Sequence, residues 1–293
     1  MGFRGELAAL MAAALWAFAT LLFGRLGKRL SPLVLNLVKG SIAISLICLT
    51  LVLRQQLLTA LPTAATLLLL VSGIVGIGLG DTAYFATVNE LGPRRALLME
   101  TLAPPLSALM ALSFLQEQLS IVAWLGIGVT LAGVAWVISE RAAAGDVQHW
   151  GRGIGLGVLA ATGQATGAVL SRAALADTGV DPLWSALLRL AAGLACLGLI
   201  LGVRPSWGMG VGQLRSGRLV LGVVIAAFFG TYLAIWLQQT AFKFAETGIA
   251  QALLATSPVF VLPMAVVAGD RISMRAVGGA LIALGGVFLL FLG

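Results

Sequence analysis

Four ionisable side chains sit inside long apolar runs of this chain: Lys39, Asp81, Glu100 and Arg189. A charge at the centre of a membrane helix costs about 2.5–3.5 kcal/mol on an insertion scale, so such a residue faces protein or water and marks a functional site by default. The two acids can relay a proton or balance a cationic ligand. Glu100 stands four residues before Pro104 and is the better candidate for a cavity-lining acid; Asp81 follows a glycine run, with Tyr84 on the same helical face. Lys39 and Arg189 lie near the ends of their runs, where snorkelling can carry the charged heads to the membrane interface.

Around these charges, Trp16, Tyr84, Gln164, Trp236, Gln239 and Gln251 supply aromatic walls and hydrogen-bonding tips, the composition of a pocket for a small amphipathic molecule. Trp150 and Trp207 read instead as interfacial anchors. Pro104 and Pro105, and again Pro258 and Pro263, interrupt the backbone ladder of apolar runs, as a hinge or kink beside a cavity would. Repeat partners of Glu100 and Asp81 are apolar, Leu253 and about Ala234, so the pocket is expected to be chemically asymmetric.

Catalytic and metal chemistry find no support. The single histidine, His149, falls in a polar connection, and Cys48 and Cys196 lie in separate apolar runs, which gives no metal site, disulfide or nucleophile with its base. Gly76-x-Gly78-x-Gly80 and Gly153-x-Gly155-x-Gly157 lack the strand–turn–helix context of a nucleotide loop. No cofactor is expected.

The elements that position these residues are membrane helices. The 293 residues are 60% hydrophobic and 10% charged, with a mean hydropathy of +1.04, outside the range of a soluble domain. A span needs about 20 apolar residues, and apolar runs fall at roughly 6–24, 32–53, 62–89, 94–116, 119–139, 153–172, 182–203, 216–242, 247–268 and 273–292. Runs of this length without alternation predict helices rather than barrel strands. The first has no clear cleavage site after it and reads as a membrane helix rather than a signal peptide.

The chain also repeats itself. Residues 101–134 return as 254–287 without a gap, matching Pro105 to Pro258, Glu117 to Asp270, Ser120 to Ser273, Gly126 to Gly279 and Gly133 to Gly286. Further upstream, Arg4-Gly5 matches Arg152-Gly153, and Ser31-Pro32 with Lys39 matches Asp181-Pro182 with Arg189. Five helices are therefore duplicated: residues 1–140 form one repeat, 141–152 a connection and 153–293 the second. An odd number of spans turns the second copy over, giving an all-α integral membrane fold of ten transmembrane helices in two inverted five-helix repeats around a central cavity. Glycines seven residues apart share a helix face and predict close helix packing.

The net charge of +7 lies between apolar runs, which points to lipid head groups rather than nucleic acid. Twelve Lys and Arg residues fall in the odd-numbered connections and four on the opposite side (Arg4, Arg54, Arg172 and Lys243). The positive-inside rule then puts both termini outside the cytoplasm of a bacterial-type inner (plasma) membrane. A reporter fused after Gly293 and active only in the cytoplasm would overturn that orientation.

Two five-helix halves, each with a proline-bearing helix, a turn carrying Glu117 or Asp270 and a last helix with paired glycines, resemble the EamA-type drug/metabolite transporters; Leu15-Trp16 and Lys39 or Arg189 add to the likeness. Among these the chain looks most like the YddG-type amino-acid exporters. Asp270 stands where Glu is usual and Lys39 where arginine is usual. The resemblance implies a basket-like fold, a cavity lined mainly by the first, third, fourth, sixth, eighth and ninth helices, and alternating access. Family members commonly keep their termini in the cytoplasm, against the charge count of this chain. The resulting expectation is a non-enzymatic secondary transporter exporting amino acids, aromatic or hydrophobic ones included, and related small metabolites, as a monomer or weak oligomer. Export of drugs or quaternary cations, with Glu100 as counter-charge, is the alternative; an integral-membrane enzyme acting on lipid fits less well.

Overall fold

A computed structural model of the chain describes residues 3–26, 32–57, 61–91, 93–139, 150–202, 217–267 and 273–292. Of the residues singled out above, His149, Trp207 and Asp270 lie outside these ranges, as do Ser31 and the basic residues Lys28, Arg29, Arg141, Arg204, Arg215 and Arg271. Every regular element among the described residues is helical. In chain order these are α1 (Arg4–Leu26), α2 (Pro32–Leu53), α3 (Thr63–Ser72), α4 (Asp81–Leu91), α5 (Pro93–Glu100), α6 (Ala103–Phe114), α7 (Ile121–Ser139), α8 (Trp150–Leu175), α9 (Pro182–Gly202), α10 (Gly217–Ala227), α11 (Ala234–Phe244), α12 (Thr247–Leu254), α13 (Ser257–Val267) and α14 (Met274–Leu292). Eight helical stretches are long and apolar enough to cross a membrane, with Ile121–Val137 a shorter apolar helix.

The helix starts follow from side-chain chemistry. Ser120 Oγ accepts the Ala123 N–H at 3.0 Å and Ser273 Oγ accepts the Ala276 N–H at 3.1 Å, so the two serines matched by the repeat cap equivalent helices. Asp181 Oδ1 caps α9 through the Leu183 N–H at 2.7 Å, with Pro182 as first helical residue. α8 begins at Trp150, three residues before the apolar run starts, so Trp150 and Arg152 lie in its first turn. Arg152 there reaches Glu90 at 3.4 Å.

Two spans are interrupted by π-helical turns, Gly73–Gly80 between α3 and α4 and Phe228–Leu233 between α10 and α11. These wider turns divert carbonyls from the regular ladder. Thr82 Oγ1 donates to the Gly78 carbonyl at 2.6 Å, and Trp16 Nε1 to the Gly230 carbonyl at 3.0 Å. Two other spans break just before their prolines. Thr101 and Leu102 separate α5 from α6, and Ala255 and Thr256 separate α12 from α13. Pro104 and Pro105 therefore sit in the first turn of α6 and Pro258 in that of α13, where a missing N–H costs no hydrogen bond. Thr101 Oγ1 and Thr256 Oγ1 each donate back to the carbonyl three residues earlier, at 2.6 Å. Pro263 lies inside α13 and faces outward.

Alanines fill much of the interior, and many large apolar side chains cover the outside. Ala9, Ala12, Ala165, Ala241, Ala250 and Ala252 are buried, while Phe114, Ile121 and Val267 are 77%, 80% and 90% exposed. That is the distribution for packing in lipid, where helices associate by close approach rather than by hiding apolar surface from water. The closest approach joins α7 to α14. A Cβ on Gly126 would meet the Leu290 side chain at 2.9 Å, and one on Gly279 would meet Val137 at 2.9 Å; on Gly133 it would strike the Ala283 backbone, and on Gly286 the Thr130 backbone. Going up seven residues on one helix goes down seven on the other, so the pair runs antiparallel, and each contact has a counterpart with the roles of the repeats exchanged. The exchange extends outward: α1 packs on α11 and α13, and α8 on α4 and α6.

Candidate functional site

A cavity of about 340 Å³ lies between the halves. It is bordered by Trp16 of α1, Asn36 and Lys39 of α2, Asp81 and Tyr84 of α4, Glu100 and Thr101 at the α5–α6 break, Gln164 of α8 and Arg189 of α9. Gly230 and Thr231 of the second π-helical turn, Gln238 of α11, Gln251 of α12, and Ser257 and Pro258 of α13 close the ring. The interrupted segments all reach it: both π-helical turns and both helix breaks contribute.

Arg189 is buried, 3% exposed, and both it and Lys39 border the cavity, so Arg189 does not take the snorkelled placement that the sequence left possible. Local packing explains its position. The Arg189 backbone lies against Gly73, and its guanidinium runs between Gly76 and Gly167, within 3.3 and 3.4 Å of where a Cβ would stand on each. The glycine run that resembles a nucleotide loop only superficially is thus a slot for a buried arginine and for α8. Ser72 Oγ fastens the same region by donating to the Gly167 carbonyl at 2.6 Å.

Asp81 Oδ1 accepts a hydrogen bond from Gln164 Nε2 at 3.1 Å, and Lys39 and Arg189 both act on Asp81 electrostatically. The equivalent place in the other half is filled by the Trp16 bond to Gly230, so the polar network is one-sided.

Trp16, Tyr84, Glu100, Gln164 and Gln251 all border the cavity; Trp236 and Gln239 do not. The Trp236 ring lies under the Arg54 guanidinium at 4.8 Å. Gln239 is fully buried and accepts the Ser185 hydroxyl at 2.7 Å, tying α11 to α9. Tyr232, whose hydroxyl is 2.8 Å from Thr50 Oγ1, continues that buried stripe on the side away from the cavity. The cavity face is one residue earlier, at Thr231, Ile235 and Gln238, about 100° around the helix. Asn36 was also missed, although it lies one turn from Lys39 on the same face. Among the described residues no three His, Cys, Asp or Glu side chains converge as metal ligands.

One end of the assembly carries a second polar cluster. Gln116, at φ 58°, turns the chain after α6 so that Glu117 points back inward. Its Oε1 accepts Arg172 Nε at 2.6 Å and its Oε2 accepts the Thr247 N–H at 2.9 Å. Arg172 also donates to the carbonyls of Phe242 and Lys243, at 3.1 and 2.7 Å. This clasp joins the α6–α7 turn, α8, and the end of α11 to the start of α12. Beside it, burial first and then the Glu117 carboxylate push the Glu246 carboxyl above its ordinary value.

The sequence model described as the EamA-like transporter family matches the chain twice, over residues 3–139 and 151–292. A solved structure titled only as the crystal structure of a protein is similar over 100% of this chain and 98% of its own, with a TM-score of 0.84 and 22% identity, a likeness of fold. No curated protein matches.

Proposed function

The chain belongs to the EamA-like transporter family, and from that premise we propose that it is a secondary transporter exporting amino acids, aromatic or hydrophobic ones included, and related small metabolites by alternating access. The observation that carries the substrate class is the cavity's charge balance. Lys39 and Arg189 face Asp81 and Glu100 around one space that Trp16 and Tyr84 also border. A zwitterion with an apolar side chain complements two bases, two acids and an aromatic wall. A lipophilic cation would meet two like charges there, which counts against the multidrug alternative.

Ten transmembrane helices in inverted five-helix repeats, with boundaries at 1–140, 141–152 and 153–293, are the architecture of this reading. The antiparallel α7–α14 contact and its exchanged partners support it, since a two-fold axis in the membrane plane produces that reciprocity. The twelve-to-four charge asymmetry supports termini outside the cytoplasm of an inner membrane. The bilayer and the small-molecule substrate are the partners, with the chain acting as a monomer or weak oligomer without nucleic acid. The family's members are transporters, which fits an activity without chemical conversion of the substrate.

Counterflow in proteoliposomes against amino acids, organic cations and nucleotide sugars tests the reading. Uptake driven by internal unlabelled amino acids is expected. Uptake confined to organic cations would replace this reading with the multidrug one, and a chemically altered product with the enzymatic one.

A further inference from the structure

The cavity contains buried hydrogen-bonding atoms that no described residue satisfies: donors on two side chains, an acceptor on a third, and the Thr231 hydroxyl, which can serve as either. Asn36 Nδ2 and Arg189 Nε and Nη1 are donors without an acceptor, on side chains 6% and 3% exposed. Both border the cavity, one from α2 and one from the equivalent helix α9. Glu100 Oε1 is buried without a donor, at the carboxyl end of α5 where the helix breaks. Buried polar groups in native proteins are paired, and exceptions call for an explanation such as a ligand.

The charges divide the same way. Asp81 acts on both Lys39 and Arg189 and accepts from Gln164, so it serves as an internal counter-ion for one of the two bases. By residue type, two bases face one acid on the α2–α9 side. Glu100 lies beside Tyr84, with which it interacts electrostatically. The end of a helix adds partial negative charge at that place, which suits a cation.

Resting on the amino-acid reading above, we propose that the cavity binds the substrate in one orientation, with the α-carboxylate against Asn36 and Arg189, the α-ammonium against Glu100, and the side chain along Leu190, Leu194 and Ile235. The unpaired donors match a carboxylate's acceptors, and the unpaired acceptor matches an ammonium. Arg189 can meet a carboxylate with two of its N–H groups, while Asn36 adds a donor from the other repeat. A ligand that bridges α2 and α9 of different halves to Glu100 at a helix break also contacts the pieces that must move relative to one another during transport. It thereby couples binding to the conformational change.

The test measures binding of phenylalanine, phenethylamine (no carboxylate) and 3-phenylpropionate (no ammonium) to the purified full chain in lipid nanodiscs. Wild type is expected to bind phenylalanine about tenfold or more tightly than either analogue, the loss that accompanies removal of a charge-assisted hydrogen bond. Glu100→Gln should weaken phenylalanine to the level of 3-phenylpropionate and leave 3-phenylpropionate unchanged. Arg189→Gln should weaken phenylalanine to the level of phenethylamine and leave phenethylamine unchanged. Asn36→Leu reads the same carboxylate end and should shift phenylalanine alone by a smaller factor, which keeps the test decisive if the arginine variant does not fold. An exchanged pattern, in which Glu100→Gln penalises 3-phenylpropionate or Asn36→Leu penalises phenethylamine, overturns the orientation while leaving amino-acid transport standing. Equal loss for all three ligands overturns it as well, because it shows a structural role only. Absence of amino-acid binding by wild type, with binding of phenethylamine retained, overturns the amino-acid reading itself and the orientation with it.

Discussion

Among single residues, the charged ones were legible because hydrocarbon makes them costly. Lys39, Asp81, Glu100 and Arg189 stand out in apolar runs, and all four border one cavity. Uncharged polar residues carry no such signal. Asn36, Thr231 and Gln238 went unnoticed, while Gln239 was singled out although it serves as a buried strut to Ser185. The charges also depend on each other. Asp81→Asn leaves Lys39 and Arg189 in the interior with one counter-charge fewer, and breaking a buried pair in this way costs about 3–5 kcal/mol. Thermal unfolding of the purified protein in detergent should therefore show a lowered midpoint for Asp81→Asn, partly restored in Asp81→Asn with Lys39→Met, where the charge is balanced again. A single variant as stable as wild type would show that Asp81 is not the counter-ion.

At the level of elements, a helix period and a proline can be read from a sequence, but a wider turn cannot. The prolines marked the spans that break, though the breaks fall upstream, at Thr101–Leu102 and Ala255–Thr256, because a proline fits the first turn of the helix that follows. The π-helical turns left no comparable mark. Glycine richness accompanies the first, but the second reads Phe-Phe-Gly-Thr-Tyr-Leu. Only the packed structure shows that Gly76 makes room for the Arg189 guanidinium. The acid at position 117 was read as a marker of the repeat, and its contacts make it the centre of the clasp with Arg172 and the start of α12. Arg172→Ala removes that pair and uncaps the end of α11, so it should lower stability by about 3 kcal/mol. Arg172→Lys should recover only part, because one ammonium cannot reach Glu117 and two carbonyls in the same geometry. Unfolding titrations of both variants check this, and an Arg172→Ala protein of wild-type stability would contradict it.

For the whole molecule, the duplication was the strongest sequence signal, since a proline, a capping serine and two glycines recur in one register. The structure gives these matches physical content: the serines cap, and the glycines of α7 and α14 meet across an antiparallel contact. Asymmetry was visible in the sequence only as the apolar partners of Glu100 and Asp81. In three dimensions it becomes a cavity with its polar network in one half and the Trp16 bond in the other. The central claim is that substrate passes through this cavity. Thr101 borders it at the α5–α6 break, so a Thr101→Cys protein in a Cys48→Ala, Cys196→Ala background can be labelled there with a small charged thiol reagent in proteoliposomes. The account predicts that labelling abolishes amino-acid counterflow and that saturating amino acid slows the labelling severalfold; unchanged labelling with substrate present, together with full counterflow by the labelled protein, would contradict it.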